Sequence, residues 1–165
     1  MPDGTVRGRH HGSMSASQDP TPRTVELART STGRYTARNA AGAQVDFGQG
    51  EDLLSPVELL LAALAGCSAV AVDTATARSA EPSQFRVEAS GRQIVDEQGG
   101  NRLEDLHLSF RVAFPDDAAG RKAAGMVERL VSLSHDKYCT VSRTVEHGAA
   151  VGHDVSVDCR ADDAR

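Results

Sequence analysis

The sequence lacks the residues that mark several protein classes. It has no tryptophan and only 4% aromatic residues, so its core has to be built from Ala, Val and Leu. Its three cysteines are too few for a secreted disulfide scaffold, and no CxxC pair suggests a zinc site. A net charge of −5 argues against nucleic acid or an anionic membrane as the main partner. The composition otherwise predicts an ordinary globular protein.

Long hydrophobic runs are also missing. The longest uncharged apolar run covers residues 59–72, short of the roughly 20 residues that a membrane span needs, so we expect a buried helix and no membrane association. Residues 1–23 are rich in Gly, Ser, Pro, Arg and His and have no apolar export segment. We predict a disordered tail over 1–23, a single domain over 24–165, and a cytoplasmic location.

Turn signals and alternating apolar residues predict the strands. The capping pattern Ser-Pro-Val-Glu at residues 55–58 predicts a helix that runs to about Arg78 and is covered on nearly all sides. A second helix is predicted over 118–134, followed by a short helical turn over 140–147. The predicted order is βββ-α-ββ-α-β, which is the α+β class. The strands are expected at residues 24–29, 34–38, 43–47, 85–90, 106–114 and 151–159.

Two cysteines occupy positions that suggest chemistry. Cys67 lies in the middle of the first predicted helix, and Cys139 lies at the start of the short helical turn with Lys137 nearby. A helix N-terminus and a nearby cation stabilise a thiolate, whereas a mid-helix apolar setting does not. Local spacing alone therefore indicates Cys139 as the more reactive thiol. Cys159, on the last predicted strand, is most simply an inert packing residue.

The segments around these cysteines resemble the signatures of the OsmC/Ohr family. Residues 55–67, SPVELLLAALAGC, resemble the family's Asn/Ser-Pro-x-Glu-Leu start and its small-residue helix leading to the first active cysteine. Residues 137–143, KYCTVSR, resemble the Cys-x-Val-Ser stretch around the second cysteine, in a form closest to the YhfA-like branch. The resemblance covers roughly residues 24–159.

The resemblance implies a fold and a chemistry. The expected fold is the OsmC-like one, with antiparallel sheets around a long central helix, in an intertwined homodimer. The expected activity is cysteine-based reduction of organic hydroperoxides in oxidative-stress defence, with Cys67 peroxidatic and Cys139 resolving. An apolar pocket would favour apolar hydroperoxides, and an external dithiol would be the reductant, with no bound cofactor or metal.

The sequence departs from the best-understood branch at one position. That branch has a Glu ten residues before the first cysteine, where this chain has Val57. The neighbouring Glu58 is a candidate for thiol activation, although it also fits the capping box. The candidates for an activating cation are Arg34, Arg38 and Arg143, and His135 and His147 are candidate bases. Each of these residues also has a plain surface or structural interpretation.

Two other functions remain open from the sequence. A dimeric module of the same fold could bind a small hydrophobic ligand, its cysteines serving only as packing residues; Val57 favours this reading. A thiol-based redox sensor would form a disulfide with negligible turnover. Both alternatives predict the same fold, so only chemistry separates them from an enzyme.

Overall fold

A computed structural model describes residues 21–158 of the chain. The chain divides into two compact units, and the boundary along the sequence lies between Phe47 and Gly48. The predicted tail falls mostly outside the described residues, and the single domain over 24–165 stays a prediction.

The first unit carries an antiparallel sheet of three strands in the order β1-β2-β3. The strands are β1 (Val25–Ser31), β2 (Arg34–Asn39) and β3 (Gln44–Gly48), each within two residues of its predicted bounds. Gly33 takes a positive φ of 74° in the first turn, a conformation that favours glycine. The rings of Tyr35 and Phe47 pack with their centroids 5.8 Å apart.

The second unit begins with the long helix α1 (Pro56–Thr76). Its start is the predicted capping box: the Glu58 backbone N–H donates to Ser55 Oγ at 3.2 Å, and the Ser55 backbone N–H donates to Glu58 Oε2 at 2.7 Å. Proline in the first turn costs no hydrogen bond there. The local sequence therefore fixes where α1 begins.

Apolar spacing of three and four predicts a buried face of α1, and the observed one differs from it; the predicted face consists of Leu60, Ala63, Leu64, Cys67, Val70 and Ala71. The buried residues are Leu64, Ser68, Val72 and Thr76, a stripe with a spacing of four. Val70, at 67%, is largely exposed, so the expectation that the helix is covered nearly all round is wrong for the single chain. The inner stripe accommodates Thr76 because its Oγ1 donates to the Val72 carbonyl at 3.0 Å within the helix. The Ser68 hydroxyl has no such partner within the described residues.

By length and composition alone, α1 could cross a membrane. The uncharged run over residues 59–72 is shorter than the helix itself, because α1 extends beyond that run at both ends. Core helices of globular proteins have the same composition, and α1 contacts the next strand and the later helices of its unit. Within the single chain, 22% of the most apolar 18-residue window of α1 is buried.

A long antiparallel hairpin follows, made of β4 (Gln84–Val95) and β5 (Asn101–Ala113). Half-buried Leu108 and Phe110 alternate with exposed His107 and Arg111 along β5, as the sequence predicted. The predicted glycine turn is confirmed: the Gly99 N–H donates to the Asp96 carbonyl at 3.0 Å.

The predicted second helix is divided in two. Helix α2 (Ala118–Ala124) and helix α3 (Val127–Leu133) are separated at Gly125, a poor helix former. A π-helical turn (Ser134–Tyr138) follows, and then α4 (Thr140–His147). The short last helix is therefore confirmed at its predicted bounds.

The predicted final strand is not formed in the described residues. Residues 149–158 have no regular secondary structure, and Val151, Val155 and Val157 are largely exposed. A strand needs a neighbouring strand to satisfy its backbone, and none of the described strands pairs with this segment. Cys159 lies outside the described residues. The α+β class is confirmed, with the order βββ-α-ββ followed by helices.

Candidate functional site

The fold brings Cys67 and Cys139 together, although 71 positions of sequence separate them. Cys67 lies on the fourth turn of α1, and Cys139 is the residue that caps the N-terminus of α4. Each thiol perturbs the pKa of the other, so the two sulfurs are neighbours. Both cysteines are free thiols.

Cys139 is fully buried, and its sulfur is held by hydrogen-bond donors. The Ser142 backbone N–H donates to the sulfur at 3.4 Å, and the Ser142 hydroxyl donates to it at 3.2 Å. The Cys139 N–H in turn donates to the Ser134 carbonyl at 2.7 Å, which closes the π-helical turn. The thiol therefore takes the place of the Ser or Asp that normally caps a helix.

These donors change the acidity of Cys139. Burial raises the pKa of a thiol, but the Ser142 hydroxyl, then the Ser68 hydroxyl, and then the Ser142 N–H and Cys67 outweigh that cost and lower the pKa of Cys139 to about 7. The Ser68 hydroxyl lies near the sulfur without making a hydrogen bond of ordinary geometry within the described part of the chain. A substantial part of Cys139 is thus a thiolate at neutral pH.

At Cys67 the influences that raise the pKa outweigh those that lower it. Burial, and then the neighbouring Cys139, raise the pKa of Cys67, although the backbone N–H groups of Val141 and Thr140 act to lower it. Cys67 is partly exposed, whereas Cys139 is not. The pair therefore joins a more accessible neutral thiol to a buried acidic one.

A cavity of about 340 Å³ opens next to the serines that surround the Cys139 sulfur, and neither cysteine is among its lining residues. Ser68 and Ser142, which both lie at the Cys139 sulfur, form part of its wall. Most of the rest of the lining is aliphatic, with a polar side made by two histidines and a glutamate. The remaining lining residues are Leu64, Leu106, His107, Leu108, Val131, His135, Val145 and Glu146.

Glu58 is used by the capping box. It is exposed, and its hydrogen bonds with Ser55, from the backbone first and then from the side chain, lower the pKa of its carboxyl group. These bonds account for the position of Glu58 without a catalytic role. Its neighbour Val57, at the position where the resemblance to the best-understood branch implied a Glu, is exposed on the first turn of α1.

The candidate cations and bases are distributed over both units. Arg38 lies on β2, where its Nη2 donates to Gln44 Oε1 at 2.8 Å, and Arg34 lies on the same strand. Arg143 pairs with Glu146 at 3.7 Å, and the Nε2 atom of His135 lies 3.3 Å from the same carboxylate. The activating roles of the three arginines stay predictions.

His147 ends α4 and lies with Lys137 and Arg143 along a shallow, open cavity. His135 is exposed and paired with Glu146, which fits its surface interpretation. The roles of both histidines as bases stay predictions.

Sequence reasoning missed two serines at the site. Ser142 stands three residues after Cys139, the spacing at which a cap meets the helix, and this spacing was a usable signal. Ser68 follows Cys67 directly, and only the rotation of α1 in the fold shows that it faces the other cysteine. The sequence of an apolar helix does not by itself show which neighbouring element a polar residue such as Ser68 faces.

The model of the OsmC-like protein family matches residues 48–154, well over half of the 165-residue chain. The chain belongs to the OsmC-like family. An uncharacterized protein of Mycobacterium tuberculosis is 34% identical over 133 residues, which cover 78% of this chain and 93% of the relative. An uncharacterized protein of Mycobacterium bovis is equally similar. The YhfA-like branch stays a prediction.

Solved structures support the same fold. A hypothetical protein of Aquifex aeolicus matches with a TM-score of 0.61 and 23% identity, covering 78% of this chain and 90% of that one. An OsmC-like protein of unknown function from Vibrio cholerae matches with a TM-score of 0.63 and 15% identity, covering 77% and 95%. At these identities the likeness establishes the architecture alone.

Proposed function

We propose that this protein reduces organic hydroperoxides with the Cys67–Cys139 pair, as part of oxidative-stress defence in the cytoplasm. The observation that carries the proposal is the adjacency of the two thiols at the N-terminus of α4. Membership of the OsmC-like family adds support, because the family resemblance assigns this chemistry to the same two signature cysteines.

The reaction proceeds in two oxidative steps. The Cys67 thiol loses its proton, and its sulfur attacks the terminal peroxide oxygen while the O–O bond breaks. The organic group leaves as an alkoxide that takes up this proton, which gives an alcohol and a sulfenic acid. The Cys139 thiolate then attacks the Cys67 sulfur, and the hydroxyl group leaves as water. An external dithiol reduces the resulting disulfide, so no bound cofactor is needed.

The cavity favours an apolar substrate. Its aliphatic lining suits an alkyl or aryl group better than the fully hydrated hydrogen peroxide. We therefore expect cumene hydroperoxide to be reduced faster than hydrogen peroxide, measured as kcat/KM with dithiothreitol in excess. Equal or reversed values for the two peroxides would contradict this substrate preference.

The central test follows peroxide consumption and intact mass together. Purified protein should turn over cumene hydroperoxide with dithiothreitol, and one equivalent of peroxide without reductant should lower its mass by about two units as a disulfide forms. Cys67→Ser and Cys139→Ser should each abolish the mass loss, and Cys159→Ser, at the third cysteine, is the matched control. Folded, reduced protein that leaves every tested hydroperoxide unchanged would refute the enzyme.

We also propose that the protein is a homodimer. Exposed Leu60 and Val70 leave an apolar side of α1 uncovered in the single chain. Analytical ultracentrifugation should give a dimer, and Val70→Glu should shift it toward monomer. A monomer at all concentrations for the unmodified chain would contradict this assembly.

A second candidate function is a binding module for a small hydrophobic ligand, with inert cysteines. The raised pKa of Cys67, due first to its burial, and the exposed Val57 in the acidic position favour it. Unchanged mass after peroxide treatment would support this module. A redox sensor, the third candidate, would form the disulfide but show negligible turnover.

A further inference from the structure

The two sulfurs of the pair differ in two physical respects that bear on how its disulfide is reopened. Cys67 is partly exposed, whereas Cys139 is fully buried. Only the Cys139 sulfur accepts hydrogen bonds from the backbone and the hydroxyl of Ser142. Accessibility determines which sulfur an incoming thiolate reaches, and stabilisation of the departing thiolate determines which bond cleavage is fast.

We propose that the external dithiol attacks Cys67, and that Cys139 departs as the thiolate, held by Ser142 and by the N-terminus of α4. This inference rests on the proposed function only in requiring that the pair forms a disulfide. It assigns to Ser142 a catalytic contact with a reacting sulfur, and it makes the reduction directional.

The step balances with a dithiol as the reductant. One donor thiolate attacks the Cys67 sulfur, the Cys67–Cys139 bond breaks, and its electron pair leaves on Cys139. The second donor thiol, once deprotonated, attacks the donor sulfur of the mixed disulfide and releases the Cys67 thiolate, which takes up a proton. The donor is thus oxidised to a disulfide by two electrons, and both protein cysteines are reduced.

Three donors converge on the departing sulfur. The Ser142 N–H and hydroxyl already bond to it, at 3.4 and 3.2 Å. The Ser68 hydroxyl, 1% exposed, lies beside the same sulfur and is unpaired within the described residues, so it is available to donate as negative charge develops there. The pKa of about 7 for Cys139, lowered by these bonds against the cost of burial, agrees with its departure.

The test traps the first intermediate of the reduction. The Cys159→Ser protein is oxidised with diamide, which forms a disulfide without any peroxide, and is then treated briefly with 2-mercaptoethanol. Acid quenching, alkylation of free thiols and trypsin digestion follow. Cleavage at Arg38, Arg78, Lys137 and Arg143 places the two cysteines on separate peptides, 39–78 and 138–143.

We expect the mercaptoethanol adduct on peptide 39–78 and the alkyl group on peptide 138–143. An adduct found mainly on peptide 138–143 would overturn the proposal, and so would the absence of any disulfide after diamide. If the adduct is on Cys67 and no hydroperoxide is turned over, the direction of reduction stands and the proposed function alone fails.

Ser142 gives a second, kinetic test. Ser142→Ala should slow reduction of the disulfide by dithiothreitol by roughly threefold, because the departing thiolate becomes more basic. Ser142→Thr, which keeps a hydroxyl, should restore the rate, and Ser132→Ala, an exposed serine of α3, is the matched control. An unchanged rate in a folded Ser142→Ala protein would overturn the role of Ser142.

Discussion

The helices α1 and α4 each place one cysteine at the site, and they do so in different ways. Helix α1 has 21 residues, is capped by Ser55 and Glu58, and presents Cys67 from its interior. Helix α4 has eight residues and is capped by Cys139 itself. A thiol that caps a helix receives free backbone N–H groups, whereas a thiol within a helix finds its neighbouring amides already bonded.

The same residue type therefore has opposite acidity at the two positions. The donors Ser142 and Ser68 outweigh burial and lower the pKa of Cys139, whereas burial and the nearby Cys139 raise the pKa of Cys67. The amides that act on Cys67 belong to the other helix, at Val141 and Thr140. The chemistry of the pair is thus set mainly by the first turn of α4.

The largest expected effect concerns the packing that holds α1 in place. Val72 is fully buried, so Val72→Ala removes buried methyl groups and leaves a cavity. We expect its free energy of unfolding to fall by about 2–3 kcal/mol. Urea denaturation measures the loss, with Val95→Ala, at a 66% exposed position, as the control. Equal losses in the two variants would mean that Val72 is not part of the core.

The next prediction measures how much Ser142, at the start of α4, lowers the pKa of Cys139. In a background with Cys67→Ser and Cys159→Ser, thiolate absorbance at 240 nm should titrate with a midpoint below the ordinary pKa of a thiol, because Ser142 and Ser68 still stabilise the Cys139 thiolate. Ser142→Ala should raise that midpoint by about one unit, because the thiolate loses a hydrogen bond worth about 1.5 kcal/mol. Resolution of the sulfenic acid should accordingly speed up as the pH rises through this midpoint. A midpoint that stays unchanged in Ser142→Ala would show that the hydroxyl does not stabilise the thiolate.

A third prediction tests the coupling between the helices. Cys139 raises the pKa of Cys67 through a hydrogen bond and through its negative charge. Cys67 in the Cys139→Ser protein should therefore titrate at a lower pH than the second thiol step of the unmodified pair. Thiolate absorbance at 240 nm measures both midpoints. If Cys67 in the Cys139→Ser protein titrates at the same pH as the second thiol step of the unmodified pair, the two sulfurs are not neighbours.

The smallest effect concerns the N-terminus of α1. Ser55→Ala removes the side chain that accepts the Glu58 N–H, and we expect a loss of about 1 kcal/mol in the free energy of unfolding. Glu58→Gln keeps an acceptor for the Ser55 N–H, so stability and peroxide turnover should both change little. A large fall in turnover with unchanged stability would instead assign Glu58 to catalysis.

Local patterns predicted much of the fold because their causes are local. The capping box at residues 55–58 and the alternation along β5 each act over a few residues, and both are found as expected. The split at Gly125 and the unformed strand over 149–158 were not predicted. The first depends on how two short helices pack, and the second depends on a strand partner that the segment cannot supply itself.

The sequence by itself determined the α+β class, the start of α1, the short last helix and the two signature cysteines. Only the tertiary structure decided that these thiols are neighbours, that Ser68 faces Cys139, and that Ser142 makes Cys139 the acidic thiol. The reason is physical: capping and periodicity depend on nearby residues, whereas thiol acidity depends on burial and on donors brought from distant parts of the chain.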